Sequence, residues 1–227
     1  MTSNSRILRT GIVGAGVFGG FHASKYAAHA RVDLVGVYEP DLERARGLAD
    51  RHGARGFDNF PGFRGQVDAI TVASPAVHHF GAAATALAMG KHVLVEKPIA
   101  STVEEARELI ALASKHGVVL QVGHQERFVF NARGLFAVDA TPIKVTASRM
   151  GPPSDRCLDV SVTLDLMVHD LDLVIALSGG AVKTVKGLVD EGRYGHPDVA
   201  TAHLVFDTGL TAALIARRVR LERDRQI

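Results

Sequence analysis

The chain has one cysteine, Cys157, which excludes an intrachain disulfide and fits a reducing compartment. No apolar run approaches eighteen uncharged residues, so no membrane-spanning helix is expected. Residues Met1 to Arg6 lack the apolar stretch of a signal peptide, and a cytoplasmic location is expected. Charge of one sign is also missing: 26 Lys and Arg are interspersed with 24 Asp and Glu, for a net +2. That balance argues against a dedicated nucleic-acid surface. The rest is ordinary globular composition, 47% hydrophobic and 22% charged. At 227 residues it suits one large domain or two modest ones.

Val93 to Val95 reads as a short buried strand, too brief for a helix. Glu96, Lys97 and Pro98 follow at once, so a carboxylate and an ammonium group leave the strand at its carboxyl end, where ligands of open α/β sheets bind. Pro98 biases Lys97 away from helical backbone. Thr102 and Glu105 have the spacing of a capping box, opening an amphipathic helix to about His116. Lys97 is either a reactive group or half of a solvated Lys-Glu pair.

Ile7 to Val13 is expected as the first strand, followed by Gly14-Ala15-Gly16-Val17-Phe18-Gly19 and a helix to about Ala30. The spacing of Gly14, Gly16 and Gly19 suits a dinucleotide: Gly14 for the tight turn, Gly16 for approach of a pyrophosphate, Gly19 for helix-on-strand packing. A second strand, Val32 to Tyr38, ends at Glu39, whose carboxylate can accept from ribose hydroxyls and would repel a 2′-phosphate. NAD is therefore expected over NADP. The bland alternative is that Glu39 solubilises a turn.

Asp41 is expected to cap a short helix from Leu42 to about Arg51, with a small strand near Arg55 to Phe57. Val67 to Ala73 reads as a buried strand stopped by Ser74 and Pro75, then a helix from about Ala76 to Met89. Its adjacent histidines cannot make an i,i+4 metal pair. One, His78, is read as lining the cofactor cleft and the other, His79, as ordinary surface. Ala73, Ser74, Pro75, Glu96 and Lys97 complete the expected cofactor contacts. With a further strand at Val118 to Val122, the alternation implies βαβ units and a parallel sheet.

After Gly123 the pattern changes. His124 to Phe136 reads as an irregular segment entering a helix, and Ile143 to Arg149 as a strand. A long helix is expected from about Val160 to Leu177, and strands at Ala181–Val189, Val199–Phe206 and Leu210–Val219. Asp207 to Gly209 reads as a hairpin turn. The expected fold class is α/β: a Rossmann dinucleotide-binding domain over 1–123, then an incomplete α+β domain over 124–227 with an open mixed or antiparallel sheet. The long helix is apolar nearly all round, yet carries Asp165, His169, Asp170 and Asp172. Buried charges persist only when paired or used. Asp165 and His169 share a face, either as an internal hydrogen bond or as an acid-base pair meeting Lys97 across an interdomain cleft.

With these residues assembled, the chain resembles the Gfo/Idh/MocA oxidoreductases. The glycine loop with Glu39, the Glu96-Lys97-Pro98 turn and Asp165-x-x-x-His169-Asp170 carry the resemblance, with Gly123-His124 and Arg127-Phe128 like the family's domain junction. It implies Lys97, Asp165 and His169 as the catalytic set, with NAD(H) or NADP(H) and a carbinol of a sugar, cyclitol or nucleotide-sugar. Lys97 and His169 are both candidates for the base. Lys97, His124, Arg127, Arg149 and His169 form the expected substrate set. Arg127, Arg149 and Arg156 either hold an anionic group or are surface residues. The run from Arg149 through Arg156 to Val162 resembles members acting at position 3 of UDP-N-acetylhexosamines. No metal is implied.

Family members extend further, so a chain ending at Ile227 is expected to be a fragment or a shortened member. Missing strands would leave an exposed edge, and homo-oligomerisation through the C-terminal sheet depends on its completeness. The alternatives are a dinucleotide-sensing regulator, which needs only the glycines and Glu39, and hydrolysis or elimination using NAD transiently.

Overall fold

The computed structural model describes residues 6–138, 140, 142–152, 159–193, 195–219 and 223–227. Cys157 and residues 153–156, the second half of the 149–156 run with Arg156, lie outside the described residues. The chain divides into two units, Met1–Gly123 and His124–Ile227. Among the described residues no helix is long and apolar enough to cross a membrane.

The first unit runs β1 (Leu8–Val13), α1 (Val17–Ala27), β2 (Val32–Tyr38), α2 (Leu42–Ala49), β3 (Arg55–Phe57), β4 (Ala69–Val72), α3 (His79–Ala88), β5 (His92–Glu96), α4 (Val103–His116) and β6 (Leu120–Gly123). All six strands are parallel, in the order β3-β2-β1-β4-β5-β6. This is the doubly wound order, whose reversal point lies between β1 and β4. Ile12, Val37, Ile70, Val72 and Val95 are buried from both faces, which is why these strands read as apolar runs. Thr102 and Glu105 form the expected capping box, and Gly117 at φ +63° ends α4.

Below the ladder, Asp68 ties β4 to β1. Its carboxylate accepts from Arg9 N at 3.1 Å and Arg9 Nη2 at 2.8 Å, and its own N–H donates to Arg9 O at 2.8 Å. Hydrogen bonding from Arg9 holds the Asp68 carboxyl down at about 2, below its ordinary 3.8. A depressed folded-state value stabilises the fold above the unfolded value, and the effect disappears as pH falls from about 4 through 2. Asp68→Asn should therefore cost about 1 kcal/mol at neutral pH, Arg9 being solvent-facing. In thermal melts the gap to wild type should close toward pH 2; a gap unchanged with pH would remove the ion pair as its cause.

The second unit holds α5 (Gln125–Ala132), β7 (Lys144–Met150), α6 (Val168–Ser178), β8 (Val182–Val189), β9 (Val199–Phe206), β10 (Thr211–Arg217) and β11 (Asp224–Gln226). The sheet order is β11-β7-β10-β9-β8, parallel only between β10 and β7, hence mixed. β9 and β10 turn Ala200, Ala202, Leu204, Phe206, Ala212, Leu214 and Ala216 to one buried face, packed with Met167 and Val174. The hairpin forms where Asp207 to Gly209 required it, with Phe206 N donating to Leu210 O at 2.9 Å.

The long helix departs from expectation. Thr163–Met167 is a π-helical turn that leads into α6, and Gly179 at φ +62° ends it. A π-turn inserts one extra residue without altering the apolar pattern, so periodicity cannot announce it.

Candidate active site

The glycine loop crosses the carboxyl edge of the first sheet at the reversal point. Gly14, at φ +106°, donates its N–H to Tyr38 O, and a Cβ there would meet Ala73 O at 2.6 Å. A Cβ on Gly19 would lie 1.9 Å from Gly14 O, so only glycine lets α1 press onto the turn. At Gly16 nothing lies within 4 Å of a built Cβ. The start of α1 carries no side-chain cap and no acidic residue in its first turn, leaving N–H groups for an anion. Ser74 Oγ, just past β4, is buried without a hydrogen-bond partner. These features fit a dinucleotide pyrophosphate. Glu39 closes over the loop, accepting from Ala15 N at 2.7 Å, with Arg44 Nη1 at 3.8 Å.

Lys97 leaves β5 half-buried, and its peptide to Pro98 is cis. Glu96, expected as a cofactor contact, is paired with His22 of α1, Nε2 to Oε1 at 2.8 Å. The two adjacent histidines require a correction. His78 is exposed in a 3₁₀ turn ahead of α3. His79 is not surface: it is 2% exposed, with Nδ1 2.6 Å from Pro98 O and Nε2 2.9 Å from Ser74 O. The short 3₁₀ turn rotates the start of the helix, which decides which of the two faces inward.

In the second unit, Asp165 sits half-buried in the π-turn with its N–H on Ser161 O, and His169 is buried one turn on. Arg149 is neither surface nor an open clamp. At 6% exposure it meets Asp170 through Nη2 at 2.7 Å and Nε at 3.1 Å, and Glu126 through Nη1 at 3.2 Å. Burial opposes the Arg149 charge, but the two carboxylates outweigh it and hold the guanidinium above its ordinary value. Burial also lifts the Asp170 carboxyl, against the pull of Arg149. The bidentate geometry keeps this pair ionic. Arg127, half-exposed, donates Nε to Asp172 at 2.7 Å, and that hydrogen bond raises its guanidinium; His124 Nε2 stands 3.7 Å from the same carboxylate.

Sequence reasoning missed His22, the inward turn of His79, and Glu126 as a partner of Arg149. Lone histidines on helices and an acidic residue in a first turn carry no distinguishing pattern; only the tertiary fold brings their partners.

Residues 8–124 match a family profile described as an oxidoreductase family with an NAD-binding Rossmann fold. The chain is 36% identical over 221 residues to UDP-N-acetylglucosamine 3-dehydrogenase of Acidithiobacillus ferrooxidans, spanning 97% of this chain and 70% of that one. A solved structure of that enzyme superposes with a TM-score of 0.88, covering 96% of this chain and 72% of that chain. GenD2 from gentamicin A biosynthesis, solved in complex with NAD, is 27% identical with a TM-score of 0.87, covering 97% of this chain and 68% of that chain. The chain belongs to the Gfo/Idh/MocA oxidoreductases, and its first unit is the family's NAD-binding Rossmann fold.

Proposed function

We propose that this protein is an NAD-dependent dehydrogenase acting on a ring hydroxyl or ketone of a sugar or nucleotide-sugar, with position 3 of a UDP-N-acetylhexosamine as the reacting carbon. One observation carries the reading: within one sheet, an ammonium group leaves the carboxyl end of β5 while the open, uncapped glycine loop crosses the carboxyl end of β1. Similarity to the UDP-N-acetylglucosamine 3-dehydrogenase supports the substrate.

Bound NAD supplies the hydride acceptor. Lys97, Asp165 and His169 are the proposed catalytic set. Lys97 or His169 takes the hydroxyl proton, and Asp165 holds the His169 imidazole in one tautomer. Gly14 to Gly19, Glu39, Ala73 to Pro75, His78 and Glu96 are the proposed cofactor set. Of the substrate residues, Arg127 is the exposed one; Arg149 is already engaged by two carboxylates, so its part is to shape the site rather than clamp an anion. The second unit's sheet, with β8 exposed along its length, is the proposed oligomer contact, read by light scattering.

The test is NADH formation from NAD and UDP-N-acetylglucosamine, followed by near-ultraviolet absorbance beside melts with each ligand. A dehydrogenase shows both turnover and a raised melting temperature. A rise with NAD and no turnover on any UDP-sugar would identify a dinucleotide sensor, and turnover with NADH retained on the protein would identify transient redox chemistry.

Glu39 should set the cofactor preference. Glu39→Ser removes the charge that would repel a 2′-phosphate and releases nearby Arg44, so NADP affinity relative to NAD should rise roughly 10-fold or more. An unchanged ratio of dissociation constants would remove Glu39 from that role.

A further inference from the structure

Lys97 is the point where β5 stops being held by its neighbours. The last ladder pair is Glu96 with Gly123, and the chain then turns through Lys97 and Pro98 toward α4. A lysine ammonium on a four-carbon stem is poorly placed unless its Cα is fixed. Here both flanking residues are anchored by side chains from different helices. On one side Glu96 Oε1 is 2.8 Å from His22 Nε2 of α1, with the two side chains 14% and 19% exposed. A Cβ on Gly123 would come within 2.9 Å of the same carboxylate, so the last residue of β6 leaves the space it occupies. On the other side His79, at the first turn of α3, places Nδ1 2.6 Å from Pro98 O. Its other nitrogen is 2.9 Å from Ser74 O, in the loop after β4.

Packing alone does not account for these histidines. A buried imidazole costs free energy unless its polar atoms are satisfied, and an apolar residue would fill the volume of His79 without that demand. What an imidazole adds is direction: His79 has two nitrogens at a fixed angle, each facing a carbonyl oxygen on a different loop, and His22 aims Nε2 at the Glu96 carboxylate.

We infer that His22 and His79 are positioning residues for Lys97. Together they hold Glu96 and Pro98 from opposite sides, so that the lysine leaves β5 in one direction, and His79 couples that segment to the Ser74 loop. The inference rests on the reading of Lys97 as the group at the reacting centre.

Conservative and disruptive variants separate orientation from bulk. His22→Gln keeps a donor toward Glu96, and His22→Leu removes it. His79→Asn carries an amide N–H in place of Nδ1, toward Pro98 O, whereas His79→Gln carries one in place of Nε2, toward Ser74 O. His22→Leu and His79→Gln should lower kcat roughly 10- to 100-fold, the scale of a misplaced catalytic group, with KM for UDP-N-acetylglucosamine within about twofold. His22→Gln and His79→Asn should recover to within about fivefold of wild type.

A second readout is the rate of Lys97 acylation by a succinimidyl ester, mapped by mass spectrometry against exposed Lys144 on β7 of the same molecule. The Lys97 to Lys144 ratio should change in the disruptive variants and return in the conservative ones. If wild type turns over no sugar, the dehydrogenase reading fails while the acylation ratio still decides the positioning role. Variants that lose only melting temperature, with kcat and the ratio as in wild type, overturn the inference. If one disruptive variant does not fold, the other and the two conservative variants carry the same comparison.

Discussion

Lys97→Met should lower kcat for UDP-sugar oxidation by about 10²- to 10⁴-fold, the range of a lost general acid-base group, while the rise in melting temperature with NAD persists. The backbone around the change is already fixed without the ammonium. β5 is laddered to β4 and β6, Glu96 is held by His22, and Pro98 O lies against His79. Methionine keeps the unbranched stem that packs beside the half-buried strand end, so thermal stability should stay within about 1 kcal/mol of wild type. A variant that binds NAD and melts normally but turns over slowly has lost chemistry rather than structure. Retention of more than half the wild-type kcat would move the proton to His169, where His169→Asn should then show the large loss. If both variants lose rate about equally, with losses less than multiplicative in the double variant, the two act as a unit.

How far such a prediction could be reached from the sequence depends on the kind of signal each residue sends. β2 and β9 begin and end where the apolar pattern placed them, at Val32–Tyr38 and Val199–Phe206, because strand limits there coincide with polar or turn-forming neighbours. The α4 boundaries were legible for the same reason: Thr102 with Glu105 and Gly117 are local devices. The glycine loop was legible because sterics at Gly14 and Gly19 are met within a few residues and one neighbouring strand.

Partners brought by the fold were hidden. His79 faces inward only because a 3₁₀ turn precedes α3, and Arg149 meets Asp170 across 21 positions of sequence. Nothing in alternation distinguishes such an arginine from one at the surface. The π-turn holding Asp165 is silent too, since an apolar helix reads the same with one residue added.

The second large effect follows from that hidden pair. Asp170→Ala should destabilise the protein by about 3–5 kcal/mol, because it leaves a guanidinium in the interior without its main counter-charge. Side-chain exposure is 7% for Arg149 and 3% for Asp170, so water cannot take over the lost contacts. Glu126 remains 3.2 Å from Nη1, but it accepts from one Arg149 nitrogen where Asp170 accepted from two. The Arg127–Asp172 pair is the internal control: similar in fork geometry, but with the Arg127 side chain 50% exposed. Removing the acid there by Asp172→Ala should cost about 1 kcal/mol, since the Arg127 guanidinium left behind is already half in water.

In thermal melts the difference should be several degrees to more than ten, at about 2–4 °C per kcal/mol for a chain of this size. Equal losses from Asp170→Ala and Asp172→Ala would refute burial as the cause. The triple variant Arg149→Met, Asp170→Leu and Glu126→Gln should recover most of the stability, because no charge is then left without a counter-charge. If it does recover stability yet loses turnover, the buried pair is present to hold α6, and with it His169, in one orientation. If it recovers both, the pair serves only to keep its own two charges satisfied.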